Sequence, residues 1–480
     1  MKLQSLLKQS VVVVLFSLMQ MAAHAESDFD QQFEKIKLEA ADEELYQLLY
    51  EMPKGGDLHS HASGSGYSEW WYELALAASE QGYIYHTRIK SNNCREYGHQ
   101  SFKGASPYYL MFYTITSASL ADLPSCEQSE FKPLAELDAK ERAAWENSIR
   151  LDKPYEGRDE FFQTHWQRLG DLDGNPYVTA EMLYLNLKAF GDEGLLYLEP
   201  QLTLQGYQRP DGSPISPSDA ATIITERLSR QDVLDTGMTW RFQEAILRFL
   251  PNAEESLETT YKIVAENEDW VAVNMVGRED DDKGHPLRFL ETLRKLRQQY
   301  HGVKLSIHAG EVDEPNFHIR DTLLLGADRI GHGVNLIKDP QTLREMRHGP
   351  YLVEVNLISN LLLEYVDDYS QHPFPEYLRI GVPVALSTDD RGMWDSTMTD
   401  EFYVAVREFN LSWTEIKLLS RNSISFAFLP EDVKNELLTT YDKRIAGFER
   451  RISRKGVAAL NKKSAPKRGF ICTRYGLCDI

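Results

Sequence analysis

At 480 residues, 42% hydrophobic and 26% charged, the chain can bury a large core and is too apolar for a disordered polymer. Its formal net charge of −21 argues against a nucleic-acid partner, because phosphate recognition needs a surplus of Lys and Arg. None of its four cysteines sits in a Cys-x-x-Cys pair, which argues against a cysteine-held metal.

Residues 1–25 have the pattern of a signal peptide. Lys2 and Lys8 precede an apolar run at 11–21, and Ala23-His24-Ala25 forms a small-x-small cleavage site. The run is short of the about 20 residues a spanning helix needs, so the expectation is export to the periplasm or medium with no stable membrane anchor. In such a compartment the cysteines suit disulfides. Three pairings are open, of which Cys94–Cys126 and Cys472–Cys478 close the shortest loops.

Residues 26–52 place Phe29, Phe33, Ile36, Leu45, Leu48 and Leu49 on one side of a helical pattern. The stripe reads either as a surface packed on the body or as a dimerisation arm. A short strand at 56–61 follows. Residues 67–175 are irregular and rich in Tyr and Trp, hold Cys94 and Cys126, and read as a helical insertion.

Beyond 177, apolar runs at 195–204, 239–247, 270–277, 303–308, 329–333, 351–356 and 382–388 alternate with helical patterns. With the first strand they make eight. Such alternation implies parallel βαβ units, and eight fit a closed (β/α)8 TIM-type barrel over 53–450. An open doubly wound sheet is the alternative, but no Gly-rich phosphate loop follows the first strand. Residues 451–480 read as a basic tail, with Arg451, Arg454, Lys455, Lys462, Lys463, Lys467 and Arg468.

Ionisable residues gather at the ends of the apolar runs, where a barrel of this kind places its active site. His59 and His61 stand two apart in a strand, so both imidazoles share one face and suit zinc. His308 ends another strand, with Glu311 three residues on. His332 ends the next, between Gly331 and Gly333. Asp389 and Asp390 end the last, where two adjacent carboxylates are costly to bury without a compensating cation. Each alone has an ordinary structural explanation. Four histidines and two aspartates at four strand ends together point to a metal site.

These strings resemble the adenosine deaminase family of metal-dependent hydrolases. The matching pieces are Met52-Pro53-Lys54 with His59-Ser60-His61, Val276-Gly277-Arg278-Glu279, His308-Ala309-Gly310-Glu311, Gly331-His332-Gly333 and Thr388-Asp389-Asp390. They cover roughly 52–429 in family order. The leader, Met52-Pro53-Lys54-Gly55-Gly56 and the cysteine-bearing insertion resemble the secreted, growth-factor-type branch. Members of that branch dimerise through N-terminal helices, so the resemblance implies a homodimer through 26–52.

The resemblance implies one zinc per chain, held by His59, His61, His308 and Asp389 with a place left for water. Glu311 becomes the proton donor and shuttle, and His332 steadies the attacking hydroxide. Asp390 and the Gly277 N–H hold purine ring nitrogens. The implied reaction converts adenosine or 2′-deoxyadenosine to the inosine compound and ammonia. The His-x-Glu plus Pro-Cys-x-x-Cys signature of base-flipping deaminases is absent.

The chain also departs from the family pattern. Ser63 stands where intracellular members have a ribose-contacting aspartate, so a weakened grip on the sugar is expected. Val355-Asn356 stands where Cys-Pro is common. Arg391 follows the paired aspartates. It reads either as a cation near the pocket mouth, which would favour AMP, or as the partner of a nearby carboxylate such as Asp395. AMP deamination and a catalytically dead, secreted binding barrel are the rival functions.

Overall fold

Consecutive parallel strands close this chain on itself. The computed structural model describes residues 28–95, 109–280 and 284–478, so the expected leader lies outside the described residues. Strand β1 is Gly56–Asp57, and the insertion carries β2 (Tyr85–Arg88), β3 (Thr114–Thr116) and β4 (Phe131–Pro133). The barrel continues with β5 (Tyr197–Leu198), β6 (Gln201–Leu202), β7 (Thr239–Trp240), β8 (Phe242–Leu247) and β9 (Trp270–Val276). It ends with β10 (Lys304–Ala309), β11 (Arg329–His332), β12 (Leu352–Val355) and β13 (Val384–Leu386).

One sheet runs β13-β12-β11-β10-β9-β8-β6 and a second runs β1-β5-β7, with every barrel pairing parallel. Isolated bridges Ser60–Asp389 and His61–Gln201 join the residues after β1 to the end of the last strand on one side and to β6 on the other, and complete the closure. Counting β5 with β6 and β7 with β8, the eight strand positions coincide with the eight apolar runs. Runs such as Trp270–Val276 are buried along most of their length, as expected for strands covered on both faces.

Helices Asp28–Glu39 and Asp42–Glu51 pack on the body of their own chain. Phe29 and Phe33 stack near Trp413, with centroids 4.8 and 5.2 Å away, and all six stripe residues are buried. Each buried Leu or Phe stabilises by about 1.5–3 kcal/mol, so the stripe is anchored within one chain. Lys54 ties this segment to the barrel. Its buried ammonium donates to the Leu49 and Glu193 carbonyls, both at 2.6 Å.

The expected boundary at 450 falls inside one continuous helix, Glu431–Lys455. The basic stretch beyond it folds back and is not a free tail. Ile471 is fully buried, and Arg468 bonds Asp395 (2.7 Å) and Glu69 (2.8 Å). Both local disulfides, Cys94–Cys126 and Cys472–Cys478, are formed. Among the described residues, no helix is long and apolar enough to cross a membrane.

The insertion contributes the antiparallel sheet β3-β2-β4 and several helices. Its last part matters most for the site. Phe161–His165 winds as a π-helix, a local form frequent at functional sites. Asn175 then caps the next helix, Pro176–Asp192, accepting from the Tyr177 and Val178 N–H groups.

Candidate active site

The C-terminal ends of the barrel strands bring together His59, His61, Gly277, His308, Glu311, His332, Asp389 and Asp390. His59, His61, His308 and Asp389 offer one donor atom each, all within 4.8 Å of one another. His61 Nε2 lies 3.2 Å from Asp389 Oδ1 and 3.3 Å from His308 Nε2, and His59 Nε2 lies 3.6 Å from Asp389 Oδ1.

The far side of each group is held. His59 Nδ1 donates to Glu354 Oε2 at 2.8 Å, and His308 Nδ1 donates to Asn274 Oδ1 at 2.9 Å. Ser359 donates to Asp389 Oδ2 at 2.6 Å. These partners aim Nε2, Nε2 and Oδ1 at a common point, the arrangement by which outer residues orient metal ligands.

A cation fits this donor set. His59 Nε2 and Asp389 Oδ1 are buried with no hydrogen-bond partner, a costly state that a metal ion relieves. Burial opposes charge on His59, yet Asp389 and Glu354 push it up to about 10, so the local field favours a positive charge there.

Below the cluster lies a polar floor. Arg329, fully buried, bonds Glu199 and, at 2.6 Å, Glu354, with its guanidinium over the Phe428 ring. Gln243 links Glu199 (3.0 Å) to Asn274 (2.6 Å). Asp57 accepts from the His59 N–H (3.0 Å) and the Thr388 hydroxyl (2.6 Å), locking β1 to the end of β13.

Glu311 and His332 face the cluster from one side. His332 Nε2 is 3.9 Å from both Glu311 Oε2 and Asp389 Oδ2. Burial, then Asp389 and Glu279, hold the Glu311 carboxyl well above the usual range. Glu279 also accepts the Glu311 backbone N–H and pairs with His318 Nδ1 at 2.8 Å, fixing the turn that presents Glu311.

Burial, then Asp389 and Glu311, likewise raise Asp390 far above its ordinary value. Its Oδ1 is buried without a partner. A Cβ at Gly64 would fall 1.6 Å from that oxygen, so Gly64 makes the room Asp390 occupies. His332 and Asp389 adopt φ +64° and +56°. Backbone of that kind in non-glycine residues costs about 1–3 kcal/mol and clusters at functional sites.

Above the cluster opens a pocket of about 320 Å³ lined by His61, His308, Glu311, Asp389 and Asp390. Gly277 also lines it, at φ +98° with Phe249 so near that a Cβ would collide at 2.5 Å. Leu247, Phe249 and Val276 form one wall. The insertion supplies Phe161, Phe162, Trp166, Gln167 and Asp173 as a roof. Arg278 with Asp159, and Arg158 with Asp313 at 2.9 Å, tie this roof to the barrel. A larger cavity of about 870 Å³ lies at the opposite barrel end, among Trp270, Lys304 and Arg329, and none of the candidate site residues lines it.

Arg391 pairs with a carboxylate, though with Glu193 and not Asp395. It lies away from the pocket, fully buried, bonding Glu193 and Asn186 at 2.9 Å each with its guanidinium 3.5 Å over the Phe190 ring. Asp395, its expected partner, is taken by Arg468. Ser63 donates to Asp173, so the insertion sets a carboxylate beside the position where an aspartate was missed.

Sequence reasoning missed Glu354, Asn274, Ser359, Asp173, Tyr365 and the roof aromatics. Glu354 alone left a signal, as the one charge in an apolar strand.

The family described as "Adenosine deaminase" matches residues 162–444. A curated adenosine deaminase of Clostridium acetobutylicum is 32% identical over 189 residues, 39% of this chain and 55% of that enzyme. The chain thus spans little more than half the length of that relative. Among solved structures, an Arabidopsis N6-mAMP deaminase superposes with TM-score 0.60 at 22% identity, over 83% of this chain and 99% of that one. An amidohydrolase of Burkholderia ambifaria with bound Zn gives TM-score 0.61 at 17% identity, over 87% and 96%. At these identities the two structures share a fold with the chain.

Proposed function

The chain belongs to the adenosine deaminase family, and from that premise we propose that it hydrolyses adenosine or 2′-deoxyadenosine to the inosine compound and ammonia, using one zinc ion. Hydrolytic deamination of purines is the family's chemistry, and the neutral nucleoside is the proposed part. One observation carries it. None of the described residues lining the pocket is Lys or Arg, and the polar groups beyond the reacting end are Gln167, Asp173 and Thr203. A phosphate would want a guanidinium, an ammonium or a helix N-terminus, whereas Asp173 suits a sugar hydroxyl. The sugar grip expected to weaken at Ser63 is supplied by Asp173 in this reading.

His59, His61, His308 and Asp389 would hold zinc, which when bound makes a water acidic enough to act as nucleophile near neutral pH, with a pKa of about 7. Glu311, kept protonated by its surroundings, delivers a proton to the ring nitrogen beside the attacked carbon and later helps the amine leave. His332 steadies the attacking oxygen. Asp390, whose carboxyl burial and then Asp389 push up, holds the ring nitrogen on the other edge, and the Gly277 N–H donates to a third. Phe161, Phe162 and Trp166 roof the purine and exclude water. Two formed disulfides support an exported protein.

The test is kcat/KM for adenosine, 2′-deoxyadenosine, adenine and AMP under one set of conditions. The nucleosides are expected to lead. A higher value for AMP or adenine overturns the assignment.

A further inference from the structure

We infer that Asn360 and His372 are positioning residues that fix the tautomer of His332, leaving its proton on Nε2, where it faces the reacting atoms. The inference rests on the deaminase reading for what that proton does, but not for where it sits.

The chain of hydrogen bonds begins at a donor of unambiguous polarity. The Phe374 backbone N–H donates to His372 Nδ1 at 3.1 Å. His372 Nδ1 is therefore an acceptor. Burial holds His372 down at about 3, so the ring is neutral at working pH and carries its one proton on Nε2. That Nε2–H donates to Asn360 Oδ1 at 3.0 Å. The Asn360 amide is thus oriented with its NH2 group outward, donating to His332 Nδ1 at 2.9 Å. The reversed amide would set its NH2 against the Nε2–H of His372, donor against donor. The tautomer follows from the network.

The Asn356 amide nitrogen lies 3.4 Å from Nδ1 and 3.5 Å from Nε2, so it does not discriminate between the two ring nitrogens and the 2.9 Å bond from Asn360 decides. With Nδ1 committed as acceptor, Nε2 bears the proton, 3.9 Å from Glu311 Oε2 and from Asp389 Oδ2.

Two consequences follow. An Nε2–H can hold an oxygen that carries lone pairs, whereas a bare Nε2 would repel it. A protonated Nε2 also cannot bind metal, although His308, Glu311 and His332 meet the distance requirement for a metal group. Asn360 and His372 thereby keep His332 out of the metal's ligand shell and available to the attacking oxygen.

Asn360→Asp tests this with almost no change in shape. A carboxylate only accepts, so it pulls the His332 proton to Nδ1. In a serine protease, reversing a catalytic histidine's tautomer with the geometry intact costs about 10⁴ in kcat. For N360D we expect a fall of at least about 10² in kcat with KM within threefold. Ring ¹⁵N shifts of histidine-labelled, metal-loaded protein, with His332 assigned by its loss in His332→Gln, should show the Nε2–H form in the wild type and the Nδ1–H form in N360D. Should N360D fold poorly, the wild-type shifts decide alone. A wild-type proton on Nδ1, or N360D kcat within threefold of wild type, overturns the inference. Wild-type protein without deaminase activity would instead sink the functional reading and leave the tautomer result standing.

Discussion

The Tyr365 hydroxyl donates to Glu311 Oε1 at 3.2 Å, and the Arg158 guanidinium lies 4.8 Å over the Tyr365 ring. Arg158 belongs to the insertion, so the roof reaches the proton-carrying carboxyl through one buried tyrosine. The bond fixes which Glu311 oxygen faces the cluster. Tyr365→Phe keeps the ring and removes the bond. A neutral hydrogen bond is worth about 0.5–1.5 kcal/mol net, so kcat should fall about three- to tenfold with KM and metal content unchanged. Steady-state kinetics with elemental analysis checks this, and a pure KM effect would assign Tyr365 to substrate binding instead.

Glu311→Gln keeps the side chain's size and removes its exchangeable proton. Metal content should hold, and kcat should fall by about 10²–10⁴, the usual contribution of a general acid–base group. Near-normal turnover would assign the proton transfer elsewhere.

The alkaline limb of the kcat–pH profile should move when Glu279 is neutralised. Burial, Asp389 and Glu279 each raise Glu311, while Arg248 and His59 lower it. Activity requires protonated Glu311 and is lost as pH rises through its pKa. Glu279→Gln removes one raising charge, so that loss should occur at lower pH. An unmoved limb would mean that Glu279 acts through the turn alone.

Elemental analysis should find about one zinc per chain. Chelation should abolish activity, and added zinc should restore it. His61→Ala removes the one ligand of the four with partial exposure and should lower the metal content in parallel with activity. A metal-free preparation with full activity would refute the site.

Lys54→Met should destabilise the fold without altering metal binding. It strips the buried carbonyls of Leu49 and Glu193 of their donor. At about 1–3 kcal/mol for each abandoned acceptor, thermal denaturation should show a loss of about 3 kcal/mol. A Tm equal to wild type would show that water or a neighbour replaces the ammonium.

The barrel and the His59, His61, His308 and Asp389 cluster were legible in the amino-acid order alone, and the reason is short-range. Strand alternation puts His59 and His61 on one face, and parallel strands deliver their C-terminal ends to one rim, so His308, His332 and Asp389 arrive there whatever the loops do. Tertiary structure decided everything that depends on partners distant along the chain. Arg391 sits next to Asp390 in sequence, yet its guanidinium turns away to Glu193, 198 residues earlier, because burial of that cation requires a carboxylate that only the packed helix Pro176–Asp192 brings near. Asp173 restores a carboxylate beside Ser63 from the far side of the insertion, and Asn360, oriented by a histidine twelve residues further on, donates directly to His332. Spacing encodes periodicity, and none of these contacts is periodic. Only the closed barrel and its roof bring those groups within hydrogen-bonding reach.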